Sequence, residues 1–296
     1  MLVQQAEANP PLVTVVIPTH DRADLLAIAL ASVVAQHHRP IEVIVVDDGS
    51  PSPVAVDHTD QHPQIDLRVV RHDQPKGPAA ARNTGLAHAT GTYLAFLDDD
   101  DEWDPAFLAV AVRSLANGEG RIAAAETTRH LRRYQGDMRT TLHHGHVPSP
   151  GQVVLHRADV VEFDPTLRVS EDVEWWARMR DKAVFAWDPE VRYIIREHQG
   201  VRRASNDDIR VRCRREVYRR HRASFDRPSR VWHLNRIAAA QLAAHHRLGA
   251  LNSAIRSFAT RPNLLAVKLS ARALSVGVGH ADASTPRPPL RPTGDA

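Results

Sequence analysis

Acidic side chains are concentrated at one point of the sequence, where Asp98 to Asp101 follow an apolar run that ends at Leu97. Four adjacent carboxylates repel one another unless a cation or a basic group neutralises them. Carboxylate oxygens are hard ligands that suit Mg²⁺ or Mn²⁺, and these ions keep coordination positions open for substrate phosphates. The alternative is a solvated acidic turn, since runs of like charge are usually exposed. We favour a metal and phosphate site, because two further polar clusters accompany this one.

Those two clusters also come directly after apolar, β-branched runs. Residues 19–22 (Thr-His-Asp-Arg) follow the run 13–17 and Pro18, and residues 47–50 (Asp-Asp-Gly-Ser) follow the run 41–46. In a sheet of parallel strands ligands bind at the carboxyl ends, so we expect the three clusters to meet there. The sequence contains no dinucleotide-binding glycine fingerprint, no P-loop and no Gly-x-Ser-x-Gly nucleophile elbow. Bound phosphates would therefore be held mainly by a metal rather than by a glycine-rich loop.

The elements that must position these clusters alternate between strand and helix patterns. Apolar, β-branched runs predict strands over 13–17, 41–46, 67–70, 92–97 and 153–155. Helical periodicity covers 24–36, with Asp24 as N-cap, then 78–89, 105–117, 171–180 and all of 207–273. Strands that are apolar throughout predict a parallel sheet covered on both faces. The fold class is therefore α/β, with a mostly parallel, Rossmann-like sheet, flanking helices and a helical C-terminal region.

Charge and composition limit the class of protein further. The 296 residues carry a net charge of +3, but residues 1–150 have a balance of −7 and residues 151–296 a balance of +10. This asymmetry suggests an acidic half that binds cations and a basic half that faces an anionic group. The single cysteine, Cys213, excludes an internal disulfide framework. No apolar run is long enough to span a bilayer and the start lacks a signal-peptide pattern, so we expect a cytoplasmic protein.

Five motifs, in order along the chain, resemble those of the family-2 inverting glycosyltransferases of GT-A fold. They are Val16–Arg22 (VIPTHDR), Val45–Ser50 (VVDDGS), Ala81–Gly85 (ARNTG), Phe96–Trp103 (FLDDDDEW), and Phe163–Leu167 (FDPTL) with Glu171–Trp176 (EDVEWW). The resemblance covers roughly residues 12–205 and implies a GT-A domain, with a nucleotide-sugar half at 12–104 and an acceptor half at 105–205. A flexible N-terminus is expected over 1–11, a helical region over 206–280 and a proline-rich, disordered tail over 281–296.

The resemblance implies which residues bind the nucleotide sugar. They are Pro18, Thr19, His20, Asp21, Asp48, Gly77, Arg82, Asp98 and Asp99. Thr19 and His20 would hold the base, although the family usually has Tyr where this chain has His20. Asp48 would accept a hydrogen bond from the base imide, with an Asx turn at Gly49 as the alternative. Asp47 is expected to be structural.

The same resemblance implies the metal site and the catalytic base. Asp100 would be the direct ligand of Mn²⁺ or Mg²⁺, while Asp101 would start the next turn. His198 would close over the metal or the diphosphate. Inversion requires a base that deprotonates the acceptor hydroxyl opposite the leaving group, and Asp172 would have this role. A first-turn acid at a helix N-terminus is compatible with it.

The expected partners are a donor of the UDP or dTDP type and an acceptor hydroxyl on a polysaccharide, a lipid-linked molecule or a small natural product. Trp175 and Trp176 are expected to be divided between the core and the acceptor site. Two other classes compete with a transferase: a nucleotide- or phosphate-binding signalling module, and a basic protein that binds nucleic acid or membrane without catalysis. We expect no nucleic acid, because the basic residues lack interleaved aromatics.

The basic segment 207–222 leaves two interpretations open. A cationic amphipathic helix there would touch the inner face of a membrane, so that the cytoplasmic protein would be peripheral. The favoured interpretation is a helix packed on the catalytic domain, because the apolar face is thin. Self-association also stays open.

Overall fold

The computed structural model describes residues 10–56, 63–118, 120–127, 136–137, 147–180, 184–195 and 207–275. Its strands are β1 Val13–Thr19, β2 Ile41–Asp47, β3 Ile65–Arg71, β4 Tyr93–Phe96, β5 Asp101–Trp103, β6 Ile122–Thr127, β7 Gly136–Asp137, β8 Val153–His156 and β9 Val184–Ile195. Its helices are α1 Ala23–Val34, α2 Pro78–His88, α3 Phe107–Ala116, α4 Glu171–Met179, α5 Asp207–His221, α6 Arg227–Ala243, α7 Arg247–Thr260 and α8 Leu264–Leu274.

These strands form one mixed sheet in the order β3-β2-β1-β4-β8-β6-β9-β5, with β7 paired to β9. The four strands β3, β2, β1 and β4 are parallel to one another. Strand β8 is antiparallel to both β4 and β6, while β6 and β9 are again parallel. The predicted α/β class is confirmed, and its parallel part is the half that carries the three polar clusters.

Apolar side chains cover both faces of the sheet. On β1, Val15 and Ile17 belong to one core with α1 and α3, and the intervening Val16 belongs to the other core. The second core contains the helix residues Ala79 and Trp175. Because side chains of a strand alternate between faces, an unbroken apolar strand is what two buried faces require.

Several predictions about elements were wrong or incomplete. Strands β5, β6 and β9 were not predicted, and Asp101 begins β5 rather than a turn. The N-cap of α1 is Arg22, so Asp24 lies in the first turn. Trp175 and Trp176 are both fully buried, and their indole N–H groups donate to the carbonyls of Val161 and Pro148. Neither tryptophan is available to an acceptor.

Helix α5 packs on the α/β part through its thin apolar face. Val211, Cys213 and Val217 are buried, and the last two share a small core with Leu167 and Val173. Several of its arginines have carboxylate partners: Arg210 pairs with Asp207, Arg219 with Glu216, and Arg220 with Asp164 and Glu216. The packed-helix interpretation of 207–222 agrees with these contacts. None of the helices in the described ranges has the length and hydropathy needed to cross a membrane.

The division at residues 104, 205 and 280 stays a prediction. Flexible ends were predicted over 1–11 and 281–296, of which residues 1–9 and 281–296 lie outside the described residues.

Candidate functional site

The first two polar clusters meet at the carboxyl ends of β1 and β2, as predicted for parallel strands. Pro18 is paired in register with Val46, and Thr19 with Asp47. Beyond the strands, the ring Nδ1 of His20 lies 2.7 Å from the carbonyl oxygen of Asp48. The backbone N–H of Asp21, a residue with φ of 57°, donates to the Ser50 hydroxyl at 2.9 Å.

The acidic cluster after β4 joins the same edge through Asp99. Thr19 donates its hydroxyl to Asp99 Oδ2 at 2.7 Å, and Arg22 Nη1 lies 3.0 Å from Asp99 Oδ1 and 3.0 Å from Asp100 Oδ2. Burial raises the pKa of Asp99 to about 6, Asp100 adds to this, and Thr19 and Arg22 oppose it. Thr19 and Asp99 are almost completely buried, whereas Asp100 exposes 24% of its side chain. Thr19 and Asp99 therefore shape the site, and Asp100 is the carboxylate that solvent can reach.

The carboxylate of Asp48 is held by two backbone N–H groups and a histidine ring. Its Oδ1 accepts from the Lys76 N–H at 2.8 Å and lies 2.7 Å from His72 Nδ1, and its Oδ2 accepts from the Gly77 N–H at 2.7 Å. Gly77 has a φ of +94°, which favours glycine, and a Cβ there would lie 2.7 Å from Arg168. Asp48 thus fixes the loop before α2, and its contact with a base stays a prediction.

The turn at Gly49 and Ser50 is held by the neighbouring aspartate, Asp47, and not by Asp48. Asp47 is fully buried and accepts hydrogen bonds from the Ser50 and Val54 N–H groups and from Arg71. This agrees with the structural role expected of Asp47.

Arg82 connects the acidic end of β4 with the start of α4. Its Nη2 donates to Asp98 Oδ1 at 2.7 Å, its Nη1 lies 3.3 Å from Glu171 Oε1, and its guanidinium carbon lies 5.4 Å from the centre of the Phe163 ring. Burial acts to lower the pKa of Arg82, but Asp98 and Glu171 hold it above its ordinary value. Arg82 thus remains a cation between two carboxylates, one at the end of β4 and one at the start of α4.

Asp172 is the second residue of α4 and lines a cavity of about 440 Å³. Its Oδ1 accepts from the Val173 N–H at 2.8 Å. Burial raises the pKa of Asp172, while Val173, Arg82 and Arg236 oppose this shift. The charged residues around the cavity are Arg82, Asp98, Arg168, Glu171, Asp172, Arg214 and Arg236. A carboxylate with a raised pKa beside an open cavity has the properties of a general base.

The structure therefore brings most of the predicted site residues to one edge. Asp98, Arg82 and Asp172 border the cavity or its wall, and the remaining predicted residues are Pro18, Thr19, His20, Asp21, Asp48, Gly77, Asp99 and Asp100, on the adjoining strand ends and loops. The predicted metal ligand His198 lies outside the described residues.

Carboxylates of the acidic run are the candidate ligands for a cation at this edge among the described residues. No group of three or more His, Cys, Asp or Glu side chains there is arranged to hold a metal ion by itself. Asp98 and Asp100 expose 27% and 24% of their side chains. Mg²⁺ is usually held by one or two carboxylates together with substrate phosphates, so these two residues fit a cation that binds with a diphosphate.

Several residues that organise the site were not predicted. Arg22 belongs to the first motif, but its pairing with Asp99 and Asp100 could not be read from the sequence. His72 links Asp48 to Thr84, whose hydroxyl lies 2.8 Å from the ring Nε2. Arg168, Arg214 and Arg236 had no signal beyond the basic charge of the second half.

Comparison with known proteins agrees with this geometry. The family model described as "Glycosyl transferase family 2" matches residues 14–210. The pre-mycofactocin glycosyltransferase of Mycobacterium tuberculosis is 35% identical over 209 residues, which make up 63% of this chain and 43% of the relative. The chain thus spans less than half the length of that curated relative.

Two solved structures share the fold. TarS 1-349 of S. aureus superposes with a TM-score of 0.59 at 16% identity, over 88% of this chain and 87% of that chain. The mannosyltransferase PcManGT of Pyrobaculum calidifontis, in complex with GDP-Man and Mn²⁺, gives 0.55 at 20% identity, over 89% and 84%. Because the family model covers two thirds of the sequence and the architecture agrees, the chain belongs to glycosyl transferase family 2.

Proposed function

We propose that this chain is a metal-dependent, inverting glycosyltransferase, which moves a sugar from a UDP or dTDP donor to an acceptor hydroxyl by direct in-line displacement. The observation that carries the proposal is the bridge made by Arg82, which contacts Asp98 at 2.7 Å and Glu171 at 3.3 Å. The bridge connects the acidic strand end with the helix start that carries Asp172. A donor site and a candidate base thereby border the same cavity.

The relatives support the choice of donor class. The curated relative is named a glycosyltransferase, one TarS 1-349 structure contains UDP-GlcNAc, and the PcManGT structure contains GDP-Man. All three names are consistent with a nucleotide-diphosphate sugar. UDP or dTDP follows from the motif resemblance, and the acceptor would carry a free hydroxyl on a polysaccharide, a lipid-linked molecule or a small natural product.

Each part of the site would contribute to the displacement in its own way. A divalent cation bound at Asp100, with Asp98 beside it, would supply positive charge against the charge that develops on the leaving diphosphate. Mn²⁺ also accompanies GDP-Man in the PcManGT structure. Pro18, Thr19, His20 and Asp21 would border the nucleotide, and Asp48 would hold the Lys76–Gly77 loop against it.

Asp172 would take the proton from the acceptor hydroxyl. The Val173 N–H fixes one oxygen of its carboxylate, and the residue lines the cavity. The raised pKa of Asp172 makes it a better proton acceptor than an ordinary aspartate. Attack by the deprotonated oxygen from this side, opposite the diphosphate, inverts the anomeric carbon.

Replacement of Asp100 tests the donor site. We expect UDP with Mn²⁺ to raise the melting temperature of the native chain, and Asp100→Ala to abolish this metal-dependent shift without lowering the melting temperature of the free protein by more than a few degrees. The exposed Asp66→Ala variant, on β3, is the control and should behave like the native chain. Metal-dependent stabilisation of Asp100→Ala would place the cation elsewhere. Parallel measurements with dTDP and GDP would identify the base.

A further inference from the structure

Three arginines border the cavity of Asp172 without carboxylate partners. Arg168 precedes α4, Arg214 lies on α5 and Arg236 lies on α6. Among the described residues none of these guanidinium groups forms an ion pair with Asp or Glu. The other basic group of the cavity, Arg82, pairs through its two terminal nitrogens with Asp98 and Glu171. Three cations therefore face a single remaining carboxylate, that of Asp172.

Arg214 is the one of the three that buries a donor without a hydrogen-bond partner. Its Nη1 donates to the carbonyl of Arg236 at 3.1 Å, but its Nε is buried and has no hydrogen-bond partner. Burial, together with Arg236 and Arg210, lowers the pKa of Arg214 to about 10. The guanidinium carbon of Arg236 lies 4.8 Å from the centre of the Trp232 ring. Buried guanidinium donors are normally paired, so this arrangement indicates a missing anion.

We propose that Arg168, Arg214 and Arg236 form a subsite for a phosphate group carried by the acceptor, beside the hydroxyl that Asp172 activates. This inference rests on the proposed function of Asp172. A single carboxylate is satisfied by one bidentate arginine, whereas three guanidinium groups against one carboxylate leave an excess of two positive charges. A phosphate monoester, with a charge of about −1.5 to −2 at pH 7, matches that excess.

The position of Arg214 and Arg236 favours the acceptor over the donor, whereas Arg168 lies beside Gly77, at the loop predicted to border the donor. Arg214 and Arg236 belong to the C-terminal helices, on the side of Asp172. The acids of the donor side already have their own arginines, since Arg82 pairs with Asp98, and Arg22 with Asp99 and Asp100. In an in-line displacement the acceptor lies on the side of the base. A phosphate held by these arginines would orient the acceptor next to that base.

Calorimetric titration of the full chain with inorganic phosphate tests the subsite. We expect phosphate to bind, Arg214→Gln and Arg236→Gln each to weaken binding by about tenfold or more, and Arg215→Gln to leave it unchanged. Arg215 is the matched control, because it is exposed on the same helix and does not border this cavity. No phosphate binding at millimolar concentration, or equal binding by all variants, would overturn the proposal.

A second titration separates the acceptor from the donor diphosphate. With UDP and Mn²⁺ already bound, phosphate should still bind, and Arg236→Gln should change UDP affinity by less than about threefold. If UDP with Mn²⁺ displaces phosphate, or if Arg236→Gln weakens UDP as much as phosphate, the arginines serve the leaving diphosphate and the acceptor assignment is wrong. Failure of UDP itself to bind would count against the proposed function and not against the anion subsite.

A different surface carries an independent inference. Of the eight large apolar side chains that the described residues expose, seven lie on α7 and α8: Leu248, Ile255, Phe258, Leu264, Leu265, Val267 and Leu274. On each helix most of them share one stripe, at spacings of seven and three, opposite the buried side. The exposed fraction reaches 85% at Leu248 and 69% at Leu264. We call this surface the α7–α8 face.

The charge of the α7–α8 face is of one sign. Residues 247–275 contain no Asp or Glu, and their five basic residues are all exposed: Arg247, Arg256, Arg261, Lys268 and Arg272. A second copy of this face would bring like charges together without a carboxylate to pair them. Residues 276–296 hold two acids and two arginines, so they offer no net negative charge either. An anionic, apolar surface is the complementary partner.

We infer that the α7–α8 face binds the surface of a bilayer containing anionic lipid. Amphipathic helices with basic residues beside an apolar stripe bind such interfaces by burying the stripe and by attraction to the headgroups. This places membrane contact on α7 and α8 instead of on residues 207–222, whose apolar side chains are buried.

Co-sedimentation of the full chain with vesicles tests the α7–α8 face. We expect binding to equimolar phosphatidylglycerol and phosphatidylcholine, weakening at high salt, and little binding to phosphatidylcholine alone. Leu264→Glu and the double variant Lys268→Glu/Arg272→Glu should each reduce partitioning by about tenfold or more. Val69→Glu, at the one large exposed apolar side chain described outside the two helices, should bind normally.

Three outcomes would overturn this inference. One is equal binding to both kinds of vesicle, and another is a dimer in sedimentation velocity that Leu264→Glu dissociates. The third is vesicle binding that appears only after removal of residues 276–296, since that segment would then be the cover.

Discussion

Three neighbouring aspartates of the acidic run have three different surroundings. Asp98 pairs with the buried Arg82, Asp99 is enclosed by Thr19 and Arg22, and Asp100 shares Arg22 but keeps part of its carboxylate exposed. Two arginines thus neutralise what would otherwise be strong repulsion. Three residues that look alike in the sequence therefore differ in the fold: Asp99 is structural, whereas Asp98 and Asp100 are accessible.

Asp99 should make the protein less stable as pH rises. Its pKa is about 6 in the folded chain and near 3.9 when unfolded, so its contribution is present below pH 4 and is lost as pH rises through 6. Asp99→Asn removes this dependence. We expect the free energy of unfolding of Asp99→Asn, relative to the native chain, to improve by about 2 kcal/mol between pH 4 and pH 7. Urea titrations at pH 4 and pH 7 measure this free energy, with Asp66→Asn as an exposed control. If the difference between Asp99→Asn and the native chain is the same at both pH values, the pKa of Asp99 is not raised.

Replacement of Asp172 should lower the turnover and leave the donor affinity nearly unchanged. Asp172→Asn can still accept from the Val173 N–H, so α4 should keep its start and the affinity for UDP with Mn²⁺ should change only a few fold. Turnover should fall by about 10²–10⁴, the usual contribution of a general base. Release of nucleotide from the donor by water or acceptor provides the rate. A parallel collapse of UDP affinity would instead make Asp172 a donor ligand or a cap.

At the scale of elements, α2 is clamped between the two halves of the α/β part. Asn83 exchanges two hydrogen bonds with the backbone of Phe163, at 2.8 and 2.7 Å, and Arg82 reaches Glu171. On the sheet side, a Cβ at Gly85 would lie 2.2 Å from Val16 Cγ1. The motif Ala81–Gly85 thus connects the two halves of the α/β part and also contributes Arg82 to the site.

Gly85→Ala should therefore destabilise the fold. Gly85 lies inside α2, where alanine is otherwise the better helix former, but the added methyl group must displace a fully buried valine. We expect a loss of about 1–3 kcal/mol in the free energy of unfolding, measured by urea denaturation. Gly249→Ala in α7 is the matched control, because its nearest neighbour is the end of the Gln241 side chain, and it should be close to neutral. Equal losses in both variants would remove the packing argument.

The sequence predicts the parallel half of the sheet well, because those strands are continuous apolar runs. The prediction fails for strands that pair in the sheet although their own residues do not form a continuous apolar run. Strand β6 is alanine-rich, β5 has three residues within an acidic run, and β9 contains Asp188-Pro189 beside a register shift. The polar clusters at strand ends were predictable from topology. Their pairings were not, since Arg22 and Asp99 are 77 residues apart and Arg82 and Glu171 are 89 apart.

At the scale of the whole molecule, the C-terminal helices respond to acid in the opposite sense from Asp99. Burial lowers the pKa of His233 to about 3, and Arg236, His221 and Arg214 add to the shift. Its ring stacks on Phe225 at 4.3 Å between centroids. The unfolded chain protonates this histidine near pH 6.5, so its stabilising contribution is present above that pH and is lost as pH falls toward 3.

His233→Phe should therefore flatten the acid response of the C-terminal helices. The native chain should lose about 2 kcal/mol through this residue between pH 7 and pH 5, and the variant, which keeps a ring against Phe225, should not. Tryptophan fluorescence during urea unfolding at both pH values reports the transition. His246→Phe is the control, because His246 is exposed. The same loss in His233→Phe would show that another group is responsible.

Strand β9 imposes an order of events during synthesis. Strands β1 to β4 have parallel partners among themselves, but within the described ranges β5 pairs only with β9, through contacts such as Asp101 with Ile195. At about 5–20 residues per second, a ribosome needs roughly 5–20 s to pass from β5 to the end of β9. Until then the sheet from β1 to β4 can be complete while the acidic turn that follows it is tied to the sheet on one side only. The nascent chain would thus carry a cluster of aspartates beside an unfinished sheet edge, and unpaired edges are where incomplete chains associate.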